Sequence, residues 1–503
     1  MSASPIFAAL AARDPESLIF HGSRSSWCAR DVLDAVSRSA ARLEGTRVLA
    51  ILADNSPDWV LADLAALKAR TPVLPLPLFF SPAQLTHALE QTGADLVVTD
   101  QPERILSLEI GFSIAEQHLN LAWLRRQVAP VQLPEGTAKI SYTSGSTGAP
   151  KGVCLSAEGL IDTAMALKSG LSDLRIERHL AVLPLALLLE NSAGVYAPLL
   201  RGAEIHLTDL ASLGWQGMAG FDPRALQRKV DELRPNSLIL VPELLKAWTM
   251  LLAHSRQRAA GELAYVAVGG SRVEPGLLAQ ARQLGVPAYQ GYGLTECGSV
   301  VSLNRPGDDG DGVGRPLPHV RVVIRDDEIQ IASRAFCGYL GDAPARPGAD
   351  YATGDLGHFD DEGMLHLSGR RKNLLITSFG RNVSPEWVEA SLLAQPQIAQ
   401  AVVAGDNRPA LAAIVVPSSG VSRSDVAAAI ARTNASLPDY ARLAGWVDAA
   451  PFTLQNGMLT GNGRPVRSAI LDHYAAALAA LYNEQSDEES DEQSIKETTH
   501  AFL

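Results

Sequence analysis

Residues 143–152 read Thr-Ser-Gly-Ser-Thr-Gly-Ala-Pro-Lys-Gly, a run of hydroxyls and glycines closed by a lysine, which is the chemistry of a phosphate cradle. Gly145, Gly148 and Gly152 free the backbone for positive φ and let phosphate oxygens approach the main-chain N–H groups. Thr143, Ser144, Ser146 and Thr147 add hydroxyl donors, and Lys151 adds a point charge. The run is not a Walker loop, which needs Gly-Lys-Ser/Thr opening directly into a helix; here the lysine follows proline and precedes glycine. Ala138–Tyr142 and Val153–Leu155 are short and strand-like, so the pattern predicts a loop between two extended segments. Taken by itself, the competing assignment is a mobile Gly/Ser linker.

The elements that must position this loop follow a layered pattern. Apolar segments Val48–Leu52, Leu96–Val98 and Ser237–Val241 alternate with Ala/Leu-rich stretches such as Trp59–Ala69 and Ala83–Gln91. Such alternation predicts an α/β protein with largely parallel sheets. After Gly369 the pattern becomes a compact α+β unit, with strands at Leu374–Ile376, Ala401–Val403 and Ala410–Val416 and a helix at Pro385–Leu393. No internal repeat is present. A chain of 503 residues that is 47% hydrophobic is long enough for more than one domain.

Composition excludes several function classes. No apolar stretch reaches the roughly 20 residues of a membrane helix, and the first twelve residues lack the basic start of a secretory signal, so a cytoplasmic protein is expected. Cys28, Cys154, Cys297 and Cys337 lie far apart with no Cys-x-x-Cys pair, which predicts reduced thiols rather than disulfides or a zinc site. Cys297, next to Glu296, reads as a small buried filler. A formal net charge of −12 disfavours nucleic acid as a partner. Much of that charge lies in residues 483–503, where seven acidic side chains face one lysine, Lys496. This stretch is expected to be disordered, as a solvating tail or a partner-docking peptide.

Four further motifs stand in order after the loop: Tyr289-Gln-Gly-Tyr-Gly-Leu-Thr-Glu296, Tyr351-Ala-Thr-Gly-Asp355, Gly369-Arg-Arg-Lys-Asn-Leu-Leu-Ile376 and Gly380-Arg-Asn-Val-Ser-Pro385. With them the sequence resembles the adenylate-forming superfamily of acyl-CoA synthetases and AMP-binding ligases from about Val48 to Arg467. Ala181–Leu185 and Glu296–Asn304 look most like the long-chain fatty acyl-CoA synthetase branch. The resemblance implies a large multi-layer N-terminal domain of α/β subdomains over residues 1–368, a hinge at 369–372 centred on Lys372, and a small mobile α+β lid over 373–482. The acidic tail at 483–503 follows.

The same resemblance implies residue roles. Thr143 to Gly148 and Lys151 would hold the β- and γ-phosphates of ATP, and Glu296 beside Thr295 would bind magnesium. Tyr292 in Gly291-Tyr-Gly293 would stack on adenine, with Gly269, Gly270 and Ser271 along its opposite edge. Asp355 would accept both ribose hydroxyls, a role suited to an acceptor-only carboxylate, while Arg370 would hold the ribose from the other side. Arg381 would stand near the phosphates, and Leu187 and Gly293 would line the substrate pocket.

Two departures from the family pattern carry information. In Phe452–Arg467, where relatives place a catalytic lysine, this chain has Arg464, whose planar fork is bulkier than a compact ammonium. Three outcomes stay open: the geometry tolerates the fork, adenylation is slow, or a preformed acyl-adenylate is used. In Leu183–Glu190 an aliphatic Leu187 stands where relatives carry a histidine or aromatic gate, which suits an apolar acyl chain and equally suits ordinary core.

The implied reaction is activation of a fatty carboxylic acid by ATP, followed by transfer to a thiol of coenzyme A. An acyl-carrier protein presents the same phosphopantetheine end and is the alternative acceptor. An adenylate-binding partner protein without catalysis is the reading from another class.

Overall fold

The computed structural model describes residues 4–143, 151–217, 220–259, 261–308, 310–346, 348–379, 381–460 and 463–482. The chain divides into two compact units: Met1–Thr353 with Gly357–Leu367, and Gly354–Leu356 with Ser368–Leu503. The acidic stretch at 483–503 lies outside the described residues.

The first unit is built on two large sheets. One has nine strands in the order Arg315–Pro316, Ser302–Leu303, Ala288–Tyr292, Tyr265–Val268, Ser237–Leu240, Arg178–Leu180, Glu204–Leu207, Leu18–Gly22 and Ser26–Cys28. Its six central strands pair in parallel, and the edges turn antiparallel. The other has eight strands, ordered Phe336–Tyr339, Lys151–Ser156, Thr137–Thr143, Val73–Pro75, Leu49–Leu52, Leu96–Thr99, Leu121–Arg125 and Ser113–His118. Here too the parallel pairs are central, and antiparallel pairs form the edges. Parallel neighbours need crossover connections while hairpins do not, so alternation of strands and helices foretold the centres of the sheets better than their rims.

Between these layers the helix Pro57–Ala69 is buried continuously from Trp59 to Ala66, with only its last residues exposed. It starts where Ser56 accepts the Trp59 N–H with Pro57 in the first turn, and it stops at Arg70 in the left-handed region, φ 59°. Trp59, Val60, Leu61, Leu64 and Ala65 are all fully buried, in one cluster with Phe20 and Ile205 of the nine-stranded sheet and Ile51 and Val98 of the eight-stranded one. Asp63 sits among them as a buried charge.

The second unit carries a three-stranded sheet, Ile398–Ala404, Leu411–Pro417 and Leu443–Asp448, with helices Pro385–Leu393 and Arg423–Ser436. One sheet face packs Val403, Ala413 and Val415 against Val388, Leu392 and Val426 of the helices. The other packs Val402, Ile414 and Val416 on Phe452, Met458 and Ile470. A short hairpin, Leu375–Ile376 with Asn382–Val383, precedes the first helix. Among the described residues, no helix is long and apolar enough to cross a membrane. All four cysteines are buried and free, as expected.

Candidate active site

The strands Thr137–Thr143 and Lys151–Ser156 form an antiparallel hairpin in which Thr143 pairs directly with Lys151. The phosphate-loop residues Ser144, Gly145, Ser146, Thr147 and Gly148 lie outside the described residues. The strand after the loop is buried at Val153, Cys154 and Leu155, which leaves exposed Lys151 at its mouth. Lys151 Nζ stands 5.2 Å from the centre of the Tyr339 ring, a cation–π distance. Tyr339 lies on the neighbouring strand, in register with Val153.

The Tyr339 hydroxyl donates to Glu296 Oε1 at 2.8 Å and lies 2.8 Å from the Tyr351 hydroxyl. Burial, then the Glu296 charge, drives the Tyr339 hydroxyl far above its usual range. The same two causes push Tyr351 up to about 12. Both phenols therefore stay neutral near pH 7 and act as hydrogen-bonding groups around a carboxylate. Tyr339 was not foreseen as a site residue, and Tyr351 was seen only as the first letter of its motif. The pairing of Tyr339 with the phosphate lysine's strand is a long-range contact that no local pattern signals.

Glu296 is held by a tight turn. After the strand Ala288–Tyr292, residues Thr295–Cys297 make a 3₁₀ turn capped by Gly298 at φ 79°, and Ser299 takes φ 96°. Ser299 N–H donates to Leu294 O, and Val301 N–H to Tyr292 O. Gly293 is required here, because a Cβ on it would collide with the carbonyl oxygen of Ser299. Tyr292 is only 8% exposed and packs in a cluster with Cys297, Val301 and Val313, so that apolar contact anchors the expected adenine-stacking ring. Cys297 is buried and its thiol is pushed well up by desolvation, consistent with a filler.

Gly269, Gly270 and Ser271 follow the strand Tyr265–Val268, with Gly270 at φ 98°. A Cβ at Gly269 would stand 3.3 Å from Leu189 Cδ2, so this glycine turn abuts the segment of the expected gate. That segment is pinned from two sides. Asn55 holds it through Leu183 O and Leu185 N, both at 2.8 Å, and Glu190 Oε2 accepts from Leu183 N at 2.9 Å. Leu187 is half-buried, and its carbonyl accepts the Asn191 N–H.

Directly after it, Glu190–Tyr196 forms a π-helix, a rare element often found at functional sites. Its side chains carry a buried network invisible to sequence reasoning. Lys139, on the strand that ends at Thr143, places Nζ 2.8 Å from Asp63 Oδ1 and also donates to Asn191 Oδ1 and to Tyr196 OH. Tyr196 OH and Asn191 Nδ2 donate to Asp63 Oδ2 at 2.6 and 3.1 Å. Burial lowers the pKa of Lys139, and Asp63 opposes that shift. The only available signal was one charge inside an otherwise apolar strand and another inside an apolar helix.

In the second unit, Arg370 Nε lies 2.8 Å from Asp355 Oδ1. Arg370 meets Asp355 directly because their strands are neighbours in one sheet. Lys372 is exposed in the turn closed by Asn373 and Leu374 N–H on Arg370 O. Arg381 is exposed at a turn closed by hydrogen bonds with Thr377 in both directions. Arg464 is exposed on a small turn in which its backbone bonds Thr460 twice. The turn is tied down three residues on, where Arg467 clamps buried Glu389 at 2.6 and 2.8 Å and donates to Val403 O.

Comparison with known proteins adds an independent line. A profile described as AMP-binding enzyme matches residues 7–333, and one described as AMP-binding enzyme C-terminal domain matches residues 372–486. The chain is 28% identical to the 2-succinylbenzoate–CoA ligase of Bacillus velezensis over 78% of this chain and 82% of that one. It is 25% identical to a long-chain-fatty-acid–CoA ligase of Mycobacterium bovis over 88% of each. The fold is similar to the O-succinylbenzoate coenzyme A synthetase of Bacillus subtilis solved with ATP and magnesium, at a TM-score of 0.73 and 22% identity, over 92% of this chain and 98% of that one.

Proposed function

Because the chain belongs to the AMP-binding enzyme family, we propose that it is an acid–thiol ligase. It activates a fatty, apolar carboxylic acid as acyl-adenylate and passes the acyl group to coenzyme A. The observation that carries this reading is the meeting of Lys151, Tyr339 and Glu296: the lysine that closes the phosphate loop stands over a ring whose hydroxyl holds the acidic residue of a separate motif. A point charge and a carboxylate so placed suit the two ends of a nucleotide polyphosphate.

In the first half-reaction an oxygen of the acid carboxylate forms a bond to the α-phosphorus while the α–β bridging bond breaks and pyrophosphate leaves. Lys151 and the loop donors offset the charge of the departing phosphates. Thr295 and Glu296 present hard oxygen donors of the kind that would hold magnesium, with the Tyr339 hydroxyl bonded to the carboxylate and Tyr351 beside it. Magnesium bound there supplies further charge neutralisation. By motif, Asp355 and Arg370 are assigned to the ribose, Tyr292 to the adenine, and Arg381 and Arg464 to the phosphates. In the second half-reaction a thiol forms a bond to the acyl carbon and AMP leaves. Lys372 is assigned as the hinge residue between the two half-reactions.

A Glu296→Gln variant keeps an oxygen acceptor for Tyr339 and loses only the charge. Pyrophosphate release is expected to fall about 100-fold, the scale for removing one electrostatic group from a preorganised site. Activity within threefold of the parent would remove Glu296 from the reaction.

Arg464→Ala is expected to slow acyl-adenylate formation by about tenfold or more, the value of one charge-assisted hydrogen bond. Thiolysis of preformed acyl-adenylate should be unchanged. An Arg464→Lys variant faster than the parent would mean that the fork is the slower geometry. Unchanged pyrophosphate release in Arg464→Ala would exclude Arg464.

The acid is identified by a panel. Fatty acids and aromatic acids are incubated with ATP and magnesium, and pyrophosphate is measured first without thiol, then with coenzyme A, then with acyl-carrier protein. Release with aromatic acids alone would replace the fatty reading with one like that of the 2-succinylbenzoate relative. Thioester only on the carrier would replace coenzyme A. No release from any acid, with ATP bound, would leave an adenylate-binding protein.

A further inference from the structure

The strands Leu18–Gly22 and Glu204–Leu207 run parallel in the nine-stranded sheet with His21 opposite His206. In-register residues on adjacent strands share a face, and Glu204 shares it too, two residues before His206. One donor atom each from His21, Glu204 and His206 therefore converge, all within 4.8 Å of one another. The two rings stack at 4.6 Å and 19°, and His21 Nε2 lies 2.8 Å from Glu204 Oε2.

Two further observations distinguish this cluster from an ordinary surface grouping. His206 is only 8% exposed, and its buried Nε2 has no hydrogen-bond partner, which a folded protein seldom tolerates. On the other side, Ser26 Oγ lies 3.3 Å from His21 Nδ1 and directs Nε2 toward Glu204, as outer partners of metal-binding histidines commonly do.

We propose that His21, Glu204 and His206 form a binding site for a divalent transition metal of the zinc class, separate from the adenylation residues. Two imidazoles and one carboxylate suit zinc, cobalt and nickel better than magnesium, which prefers an all-oxygen shell. Donors about 2 Å from a tetrahedral ion stand roughly 3.3 Å apart, so small side-chain rotations that unstack the rings bring the donors into range. The ion would clip the N-terminal strand Leu18–Gly22 to the strand Glu204–Leu207, and a water or a fourth donor would complete its shell. This inference does not depend on the proposed ligase reaction.

The test uses untagged full-length protein, stripped with chelator and free of nucleotide, titrated with cobalt(II) and followed by the metal's visible absorption, then displaced with zinc. The expected result is one cobalt bound per chain, displaced by zinc but not by excess magnesium, with a zinc-dependent rise in the thermal midpoint. Both effects are expected to be lost in His206→Gln and in His21→Gln, whose ring is less buried than that of His206, which makes misfolding a lesser concern. Glu296→Gln should bind cobalt like the parent. Absence of stoichiometric cobalt binding, or binding that survives both histidine replacements, would overturn the proposal, as would loss of binding in Glu296→Gln.

Discussion

Lys139→Met is expected to lower stability by about 3–5 kcal/mol, the range for leaving one member of a buried ion pair uncompensated. Methionine keeps the length and apolar stem of the lysine, so the loss reports charge rather than a cavity. Lys139 is 2% exposed and Asp63 fully buried, so water cannot replace the missing ammonium. Asp63 would keep its hydrogen bonds from Tyr196 and Asn191, which soften the cost without neutralising the charge. Tyr196→Phe provides the comparison, since it removes one hydrogen bond to a charged group and should cost about 1.5–3 kcal/mol. Denaturant midpoints of the three proteins decide the matter. If Lys139→Met is no more destabilising than Tyr196→Phe, charge compensation is not what this network contributes.

The position of the pair gives it functional weight. It joins three segments: the helix Pro57–Ala69, the strand that runs into the phosphate loop, and the π-helix that follows the Leu183–Leu189 segment. A buried network in which an ammonium, an amide and a phenol converge on one carboxylate holds such segments in one arrangement.

Gly293→Ala should have the largest effect on catalysis. The new Cβ would meet the Ser299 carbonyl, a backbone atom that cannot rotate away as a side chain can. Ser299 already sits at φ 96°, a region costly for a residue with a side chain, so the turn has little freedom to absorb the clash. The 3₁₀ turn Thr295–Cys297 must shift, and Glu296 shifts with it relative to Tyr339 and Lys151. A displacement of about 1 Å at a catalytic group costs about 100-fold in rate, and pyrophosphate release is expected to fall at least that far. Stability should drop by only about 1–3 kcal/mol, the usual cost of overpacking. Gly261→Ala is the control, because a Cβ there meets nothing within 4 Å, and its activity should match the parent. A Gly293→Ala protein with near-parent activity would show that the turn does not fix Glu296.

The site was legible in the sequence to the extent that its chemistry is local. The hydroxyl-and-glycine run between two strands, the Tyr-Gly-x-Thr-Glu turn and the helix Pro385–Leu393 are each written in neighbouring residues, through backbone freedom, capping and periodicity. Thr143 and Lys151 do pair across a hairpin, and the helix begins and ends as expected. The direct pairing of Arg370 with Asp355 was not legible, for the opposite reason. Motif order places Arg370 after Asp355 but says nothing of strand adjacency, and adjacency pairs the two directly.

By itself the sequence determined the alternation of strands and helices, the phosphate-cradling chemistry and the family to which the chain belongs, since each depends on residue types at short spacing. Only the tertiary structure decided that Tyr339 joins Lys151 to Glu296, that Lys139 and Asp63 neutralise each other in the core, and that His21 meets Glu204 and His206. These residues are tens to well over a hundred positions apart. Their contacts follow from sheet order and register, which nonlocal packing selects and which no run of neighbouring residues encodes.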